Sequence, residues 1–335
     1  MGGAWHTRVG WWFAKYLHAP LYYTHARARA RMALACDCGY PKVPVQKWAE
    51  GSVLNVRHAV NESQLTLSFV SALHSTEGTH VDGPHASRPG WVPVLTTQAS
   101  FYYVPTPIAP LRCAPATRGE DSVLLRTFFF TPEGMPLLGP GVFVETGAAD
   151  GLEQSTTLFF EKCLGWGGVL IEPHPLVWPK LLRAPRGRAV KRHAAICERN
   201  GTTKIDARPW TAATTLNLAG LPTLRVPCAP LWKLLHQVGL VRRTARVDLL
   251  SLDVEGAEPI AVATLGDAIS YGVVMAEVTV GERRVHVMMT MLTRGFTYVG
   301  QISARPSPTN YVISDVWYNR SHFERYWPRS RVLLV

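Results

Sequence analysis

The chain has 335 residues, a hydrophobic content of 47% and a formal net charge of +11 at neutral pH. These values predict a globular protein with one large α/β domain and an appendage, or with two domains. No apolar run reaches the length of about eighteen residues that a standard membrane span needs. The basic charge suits a solvated surface or attraction to an acidic glycan, nucleic acid or membrane. Because zinc-finger spacing and an aromatic RNA-binding signature are missing, no nucleic acid partner is expected.

Residues 1–117 are predicted to form a partly ordered extension that is rich in loops and β-structure. They contain seven of the twelve histidines and little sustained periodicity. His74, His80 and His85 lie close together in the sequence, but no second ligand cluster supports them, so they are interpreted as loop histidines. The short β-like runs in this part are Ser52–Val60, Gln64–Leu73 and Trp91–Val104.

The first 36 residues contain no acidic side chain and resemble a targeting presequence. Any membrane association is therefore expected through this segment only. Glycosylation sequons at Asn61, Asn200 and Asn319 add slight weight to the secretory pathway. Localisation stays open between the cytoplasm and an organelle or the secretory pathway.

The six cysteines do not follow a metal-binding pattern. Cys36 and Cys38 stand too close together for the usual zinc pairing, and no second pair follows them. Cys163 lies in an apolar helical pattern and Cys197 ends a predicted strand, so both are expected to be buried thiols. The cysteine count alone does not fix the redox compartment.

From about residue 118 the sequence alternates between apolar strands and helices, which predicts a parallel sheet with right-handed crossovers. A domain over residues 118–320 and a tail over residues 321–335 are therefore expected. Helices are predicted at Leu152–Leu164 and Glu282–Thr293, and a polar excursion with a short hairpin is predicted over Glu198–Thr223, after the third strand. The predicted strands are Val142–Glu145, Gly168–Ile171, Ala189–Cys197, Val247–Leu252 and Tyr271–Glu277, with a closing hairpin at Phe296–Ile302 and Asn310–Val316.

The turn after the first strand is the first candidate site. Gly147 and Gly151 let a ligand approach bare backbone at the carboxyl end of a strand. Glu172, at the end of the next strand, is placed to accept hydrogen bonds from ribose hydroxyls. The turn lacks the Gly-x-Gly-x-x-Gly spacing of dinucleotide sites and carries Asp150, which disfavours a pyrophosphate. A ligand with a ribose and a cationic amino-acid tail, such as S-adenosylmethionine, suits two carboxylates better.

Three sequence blocks resemble the FkbM family of S-adenosylmethionine-dependent methyltransferases. The resemblance covers about residues 120–315 and leaves residues 1–117 outside. The family often has asparagine where this chain has Ala149 and His174, and often has Ser-Asn-Thr where this chain has Ser155, Thr156 and Thr157. The blocks are Phe-Val-Glu-Thr-Gly-Ala-Ala-Asp-Gly at 143–151, Thr-Leu-Phe-Phe-Glu-Lys-Cys-Leu-Gly-Trp-Gly-Gly-Val-Leu-Ile-Glu-Pro at 157–173 and Asp-Leu-Leu-Ser-Leu-Asp-Val-Glu-Gly-Ala-Glu at 248–258.

This resemblance implies a class I methyltransferase fold, which is a doubly wound, Rossmann-like sheet of seven mostly parallel strands with an antiparallel last strand. It also implies S-adenosyl-L-methionine as the cofactor and O-methylation of a hydroxyl on a glycan or small natural product. The residues expected to bind the cofactor are Glu145, Thr146, Gly147, Asp150, Gly151, Glu172, Ala194, Ala195 and Asp253.

Asp253, Glu255 and Glu277 are the candidate catalytic residues because they follow the fourth and fifth strands at the same edge of the sheet. Methyl transfer to oxygen needs the acceptor hydroxyl held in line and its proton removed. Asp253 is the best placed to take that proton, Glu277 is the second candidate, and Glu255 is expected to orient the substrate. Two carboxylates are a weak signal for a divalent ion, so no metal site is predicted.

Two other functions compete with a methyltransferase. A nicotinamide-dependent oxidoreductase would need the tight Gly-x-Gly-x-x-Gly turn that this chain lacks. A non-catalytic methyltransferase-like binding or trafficking module stays open because residues 1–117 have no assigned role. Glu145, Gly147, Glu172 and Asp253 favour the enzyme over that module.

Overall fold

The computed structural model describes residues 36, 53–56, 113, 115–116, 119–131, 135–137, 139–208, 222–240, 245–279, 281–303 and 312–330. Most of the predicted extension over residues 1–117 lies outside these ranges, together with its histidine cluster and the β-like runs Gln64–Leu73 and Trp91–Val104. The last five residues of the predicted tail also lie outside them. Within these ranges, no helix combines the length and the apolar character that crossing a membrane requires.

The described part of the chain contains eleven strands. They are β1 (Val53–Val56), β2 (Val142–Thr146), β3 (Gly167–Glu172), β4 (Ala189–His193), β5 (Ala195–Ile196), β6 (Gly201–Asp206), β7 (Thr223–Ala229), β8 (Arg246–Leu252), β9 (Ser270–Thr279), β10 (Thr297–Ser303) and β11 (Val312–Tyr318). All five residues of β2 are buried, as are all but the first residue of β8. Such continuous burial is typical of parallel strands that are covered on both faces.

Eight of the strands form one sheet in the order β1-β10-β11-β9-β8-β2-β3-β4. The strands from β9 to β4 run parallel, whereas β11 lies antiparallel between β9 and β10. Seven strands therefore reproduce the predicted sheet with its antiparallel last strand, and the predicted fold class is confirmed. β1 adds an edge strand antiparallel to β10, within the run predicted to be β-like.

Helices connect the strands on both faces of this sheet. In the described ranges they are α1 (Glu120–Phe128), α2 (Leu158–Lys162), α3 (Trp178–Arg183), α4 (Leu231–Gln237), α5 (Glu258–Ala263), α6 (Glu282–Thr293) and α7 (Arg320–Tyr326). The chain passes from β2 to β3 on one side and returns to β8 on the other, so the direction of winding reverses at β2. Sheets of this kind bind ligands at the carboxyl ends of the strands beside such a reversal.

Apolar side chains cover the two faces of the sheet as separate clusters. Val144 belongs to an aliphatic cluster, and its neighbour Phe143 belongs to the other cluster, which is largely aromatic. This difference follows from the alternation of side chains along a strand. In the aromatic cluster the ring of Trp166 lies 4.9 Å from that of Phe129 and 5.6 Å from that of Trp327. The packed faces fix the strand ends that carry the candidate site.

A buried carboxylate fastens α7 and the following tryptophan to the sheet. Asp248 is fully buried on β8, and its Oδ1 accepts hydrogen bonds from His322 Nε2 at 2.8 Å and Trp327 Nε1 at 2.7 Å. Its Oδ2 accepts a hydrogen bond from the backbone N–H of Val142 at 2.7 Å. Asp248 thereby ties the first residue of β2 and the C-terminal helix to one point of the sheet.

The polar excursion after β4 forms a second sheet with the strand order β5-β7-β6. The strand predicted over Ala189–Cys197 is therefore divided, because its last residues pair with β7 instead of β3. β6 and β7 form an antiparallel pair, but β7 begins at Thr223, where the excursion predicted to contain the hairpin ends. The disulfide Cys197–Cys228, with a Cα–Cα distance of 5.7 Å, closes this small sheet.

The expectation that Cys163 and Cys197 are buried thiols is wrong. Cys163 forms a disulfide with Cys36, and Cys197 forms one with Cys228. Cys113 is also disulfide-bonded. The partners are 127 and 31 residues apart in the chain, so only folding brings them together.

The helix predicted at Leu152–Leu164 is shorter than expected and begins at Leu158. The preceding residues form turns, and Gln154 has a positive φ of 61°. Ser155, Thr156 and Thr157 donate hydrogen bonds to the carboxylate of Glu145, and these bonds hold the segment before Leu158 in a non-helical conformation.

Candidate active site

A cavity lies where β2, β3, β8 and β9 end, on the edge of the sheet that the sequence predicted. Thr146, Glu172, Ser251 and Met275 line it from these four strands. Its empty space is about 1320 Å³, including the opening to solvent. The small second sheet contributes Ile205 to the wall. Concave sites of this kind, lined by apolar side chains with a few polar groups, commonly hold small molecules.

The glycine of the first turn brings two strand ends together. Gly147 has a φ of 70°, and its N–H donates to the carbonyl of Ile171 at 2.9 Å. A Cβ atom at Gly147 would lie 1.8 Å from the carbonyl oxygen of Asp253. The N–H of Asp253 donates in turn to the carbonyl of Thr146 at 3.2 Å. The absence of a side chain at Gly147 thus allows the turn after β2 to lie in close contact with the end of β8.

Glu145 lines the cavity, but its carboxylate is held by the loop that follows. Oε2 accepts hydrogen bonds from the hydroxyls of Ser155 at 2.8 Å and Thr157 at 2.5 Å. Oε1 accepts one from the N–H of Thr156 at 2.8 Å. These contacts give Glu145 a role in shaping the loop, and its predicted contact with the cofactor stays a prediction.

Arg186 supports the same loop and was not predicted from the sequence. Its guanidinium is fully buried and forms an ion pair with Glu161, with Nε and Oε2 2.5 Å apart. It also donates to the carbonyl of Gly151 at 2.5 Å and to the hydroxyl of Ser155 at 2.9 Å. The sequence around it, Ala-Pro-Arg-Gly-Arg, has the composition of an exposed loop, so no pattern pointed to this buried position.

Two of the predicted cofactor-binding residues, Asp150 and Gly151, do not line the cavity. Oδ1 of Asp150 accepts hydrogen bonds from the N–H groups of Leu152 at 2.8 Å and Glu153 at 2.9 Å. The other seven residues of that set line the cavity: Glu145, Thr146, Gly147, Glu172, Ala194, Ala195 and Asp253.

Glu172 ends β3 with its carboxylate between two backbone donors. Oε2 accepts from the N–H of Ala149 at 2.9 Å, and Oε1 accepts from the N–H of His174 at 2.7 Å. Burial raises the pKa of Glu172 to about 7, against the opposing effect of these two hydrogen bonds. Each carboxylate oxygen has a second lone pair, so the group can still accept hydrogen bonds from a ligand.

The three candidate catalytic carboxylates, Asp253, Glu255 and Glu277, all line the cavity. Partial burial raises the pKa of Glu255, and the nearby carboxylates of Glu277 and Glu258 add to this effect. The backbone of Glu255 has a positive φ of 51°. Among the described residues, no group of three or more metal-ligating side chains has a geometry that suits a metal ion.

His174 is a further polar residue of the cavity wall. It is 2% exposed, and its Nδ1 accepts a hydrogen bond from the N–H of Leu176 at 3.2 Å. Its Nε2 has no hydrogen-bond partner. The other histidine near the rim, His193, has its Nε2 3.0 Å from the carbonyl oxygen of Pro173 and stacks on Trp178.

Comparison with known proteins finds one family match over part of the chain and several distant structural likenesses. Residues 145–270 match the model of the methyltransferase FkbM domain. No curated protein matches the chain. Fibrillarin from Aeropyrum pernix, in complex with natively bound S-adenosyl-L-methionine, is 14% identical with a TM-score of 0.34, and the match covers 54% of this chain and 66% of that protein. The methyltransferase FkbM from Methylobacillus flagellatus is 13% identical with a TM-score of 0.35, and the match covers 53% of this chain and 44% of that protein.

This chain thus spans less than two thirds of the length of either protein. Because both TM-scores are below 0.5, neither likeness supports an inference about this chain. The fold class rests on the strand order, and the family resemblance rests on the match over residues 145–270. Residues 145–270 match the methyltransferase FkbM domain, the family that the sequence blocks resemble.

Proposed function

We propose that this chain is an S-adenosylmethionine-dependent O-methyltransferase that acts on a hydroxyl of a glycan or small molecule. The observation that carries the proposal is the arrangement of carboxylates in the cavity. Glu172 lies on the β3 side, and Asp253, Glu255 and Glu277 lie at the ends of β8 and β9. The cavity thus offers an acceptor for ribose hydroxyls and a separate acidic region for a cationic group.

The residues present fit the cofactor. Glu172 has lone pairs left for the donors of a ribose diol. His174 offers a buried Nε2 without a partner. Ala194 and Ala195 are buried small residues of the wall, against which a flat adenine ring can pack. Negative charge at the other end suits the sulfonium and ammonium groups.

The chemistry divides between the cofactor and the chain. When bound, S-adenosylmethionine supplies a methyl group activated by its sulfonium. The chain must hold the acceptor hydroxyl in line and take its proton. Asp253 is the first candidate for the proton acceptor because its backbone is fixed against Thr146 and Gly147. Glu277 is the second candidate. Glu255, whose pKa is raised, can hold an acceptor hydroxyl as either a protonated or an ionised group.

Calorimetry with S-adenosylhomocysteine tests the cofactor half of the proposal. We expect the parent protein to bind, and we expect Glu172→Ala to bind about tenfold or more weakly, because the hydrogen bonds that its carboxyl group makes to the ligand are lost. Asp267→Asn is the matched control, since the carboxyl group of Asp267 is 98% exposed and outside the cavity lining. Absence of binding by the parent protein would overturn the proposal.

Transfer of a labelled methyl group to a panel of hydroxylated glycans and small molecules tests the catalytic half. With an accepted substrate, Asp253→Asn is expected to lower kcat by about 10²–10⁴-fold, the range for loss of a general base. A similar loss in Glu277→Gln, with full activity in Asp253→Asn, would assign the proton transfer to Glu277. Cofactor binding without turnover on any acceptor would favour the non-catalytic module.

A further inference from the structure

The imidazole of His174 has its two nitrogens in different situations. Nδ1 accepts a hydrogen bond from the N–H of Leu176, two residues further on. A nitrogen that accepts carries no proton, and a neutral imidazole has one donor and one acceptor. The hydrogen therefore lies on Nε2, and this ring presents a fixed N–H donor.

That donor is buried without an acceptor in the protein. Buried polar groups are nearly always hydrogen-bonded, so each exception needs an explanation. Five buried side-chain atoms lack a partner in the described part of the chain, and only His174 belongs to the cavity wall. The others are Nε of Arg126, Nε1 of Trp166, Nε of Arg192 and Nε1 of Trp317.

The position of the ring is set by the residue that is expected to hold the ribose. The backbone N–H of His174 donates to Oε1 of Glu172 at 2.7 Å. This hydrogen bond fixes the backbone of His174 next to the carboxyl group of Glu172. Val177 and Ile205 line the wall beside them. Asp206 interacts electrostatically with His174, but its carboxylate accepts hydrogen bonds from Arg208. His174 thus lies next to Glu172 in the wall at the nucleoside end of the cavity.

We propose that Nε2–H of His174 donates a hydrogen bond to the nucleoside of the bound cofactor and so helps to position it. This inference rests on the proposed function. The partner is an acceptor atom of adenosine, either N3 of the adenine or an oxygen of the ribose. Glu172 accepts from the hydroxyl donors of the same nucleoside, so the two residues recognise opposite hydrogen-bonding groups.

Two substitutions separate this role from the structural role of the ring. In His174→Asn, the amide oxygen can replace Nδ1 as the acceptor for the N–H of Leu176, which is the usual Asx-turn geometry. That variant loses the donor at the Nε2 position. In His174→Gln, the longer side chain returns an N–H donor close to the Nε2 position but loses the geometry of the turn. The pair therefore exchanges the two functions.

The experiment measures the Kd of S-adenosylhomocysteine by calorimetry and the Tm of the free protein. We expect His174→Asn to keep the parent Tm and to bind about tenfold more weakly, as for one hydrogen bond in a dry site. His174→Gln is expected to recover most of the affinity despite a lower Tm. Equal affinity of His174→Asn and the parent protein overturns the inference and leaves the proposed function intact. Absence of binding by the parent protein overturns both.

A second ligand identifies the acceptor atom. The 3-deaza analogue of S-adenosylhomocysteine has a carbon in place of N3. Weaker binding of the analogue by the parent protein, with no such difference in His174→Asn, supports the inference and assigns N3. Equal binding of both ligands, with the loss in His174→Asn retained, supports it and assigns a ribose oxygen.

Discussion

Substitution of Gly147 by alanine is the sharpest test of how the candidate site is built. The glycine has a φ of 70°, and the added Cβ would lie 1.8 Å from the carbonyl oxygen of Asp253. The backbone fixes the positions of both the Cβ atom and the carbonyl oxygen, so no side-chain rotation can relieve the contact. The turn after β2 and the end of β8 would have to move apart.

The magnitude has two parts. A left-handed conformation costs a residue with a Cβ about 1–2 kcal/mol relative to glycine. Overpacking of a dense region typically costs about 1–3 kcal/mol more. The separation must increase by about 1.2 Å before the contact reaches even 3.0 Å. A shift of about 1 Å in a catalytic group can lower the rate by about 10²-fold, so Gly147→Ala is expected to reduce turnover by about that factor.

Gly165→Ala provides the matched control. Gly165 has a φ of 74°, but no atom lies within 4 Å of its added Cβ. Chemical denaturation should therefore show a loss of about 1–2 kcal/mol for Gly165→Ala and a larger loss for Gly147→Ala. Calorimetry with S-adenosylhomocysteine should show weaker binding only for Gly147→Ala. Equal stability of the two variants, together with parental affinity in both, would refute this account of the turn.

Two further outcomes follow from the structure. Because burial raises the pKa of Glu172 from 4.5 to about 7, the folded state holds that proton more tightly than the unfolded state. The contribution of this carboxyl to stability is full below pH 4.5 and is lost as the pH rises through about 7, a change of about 3 kcal/mol. The free energy of unfolding, measured by denaturation across this pH range, should fall less steeply with pH for Glu172→Gln than for the parent protein. Identical slopes would contradict the effect of burial on this carboxyl group. Removing the Cys197–Cys228 disulfide by a double serine substitution should cost about 3–4 kcal/mol for its loop, as measured by denaturation without reductant. No difference from the parent protein would show that the bond does not constrain the unfolded chain.

Much of the fold could be predicted because it depends on local patterns. The unbroken apolar run of β8 and the alternation of strands with helices indicated a parallel sheet, and the strands from β9 to β4 run parallel. The helix Glu282–Thr293 was predicted with the same bounds. These elements are determined by residues within each segment, so periodicity alone was informative.

The errors concern contacts between distant parts of the chain. The helix after β2 starts late because Glu145 binds the hydroxyls of Ser155 and Thr157, a contact that helical periodicity does not include. Cysteine pairing was missed because β5 and β7 meet only in the folded protein. The buried guanidinium of Arg186 likewise depends on acceptors at Gly151, Ser155 and Glu161, which lie 25 to 35 residues earlier in the chain. Such interactions leave no periodic signal in a single sequence.

The positions and hydrogen bonds of the carboxylates also bear on the alternative that the cavity binds a dinucleotide. Glu145 and Asp150 accept several hydrogen bonds from the protein, which stabilises their charges within the loop. Asp253, Glu255 and Glu277 line the cavity, and the charges of Glu277 and Glu258 add to burial in raising the pKa of Glu255. A pyrophosphate placed there would increase that repulsion, whereas a cation would relieve it. The charge of the cavity therefore favours a nucleoside with a positively charged tail, independently of the glycine spacing.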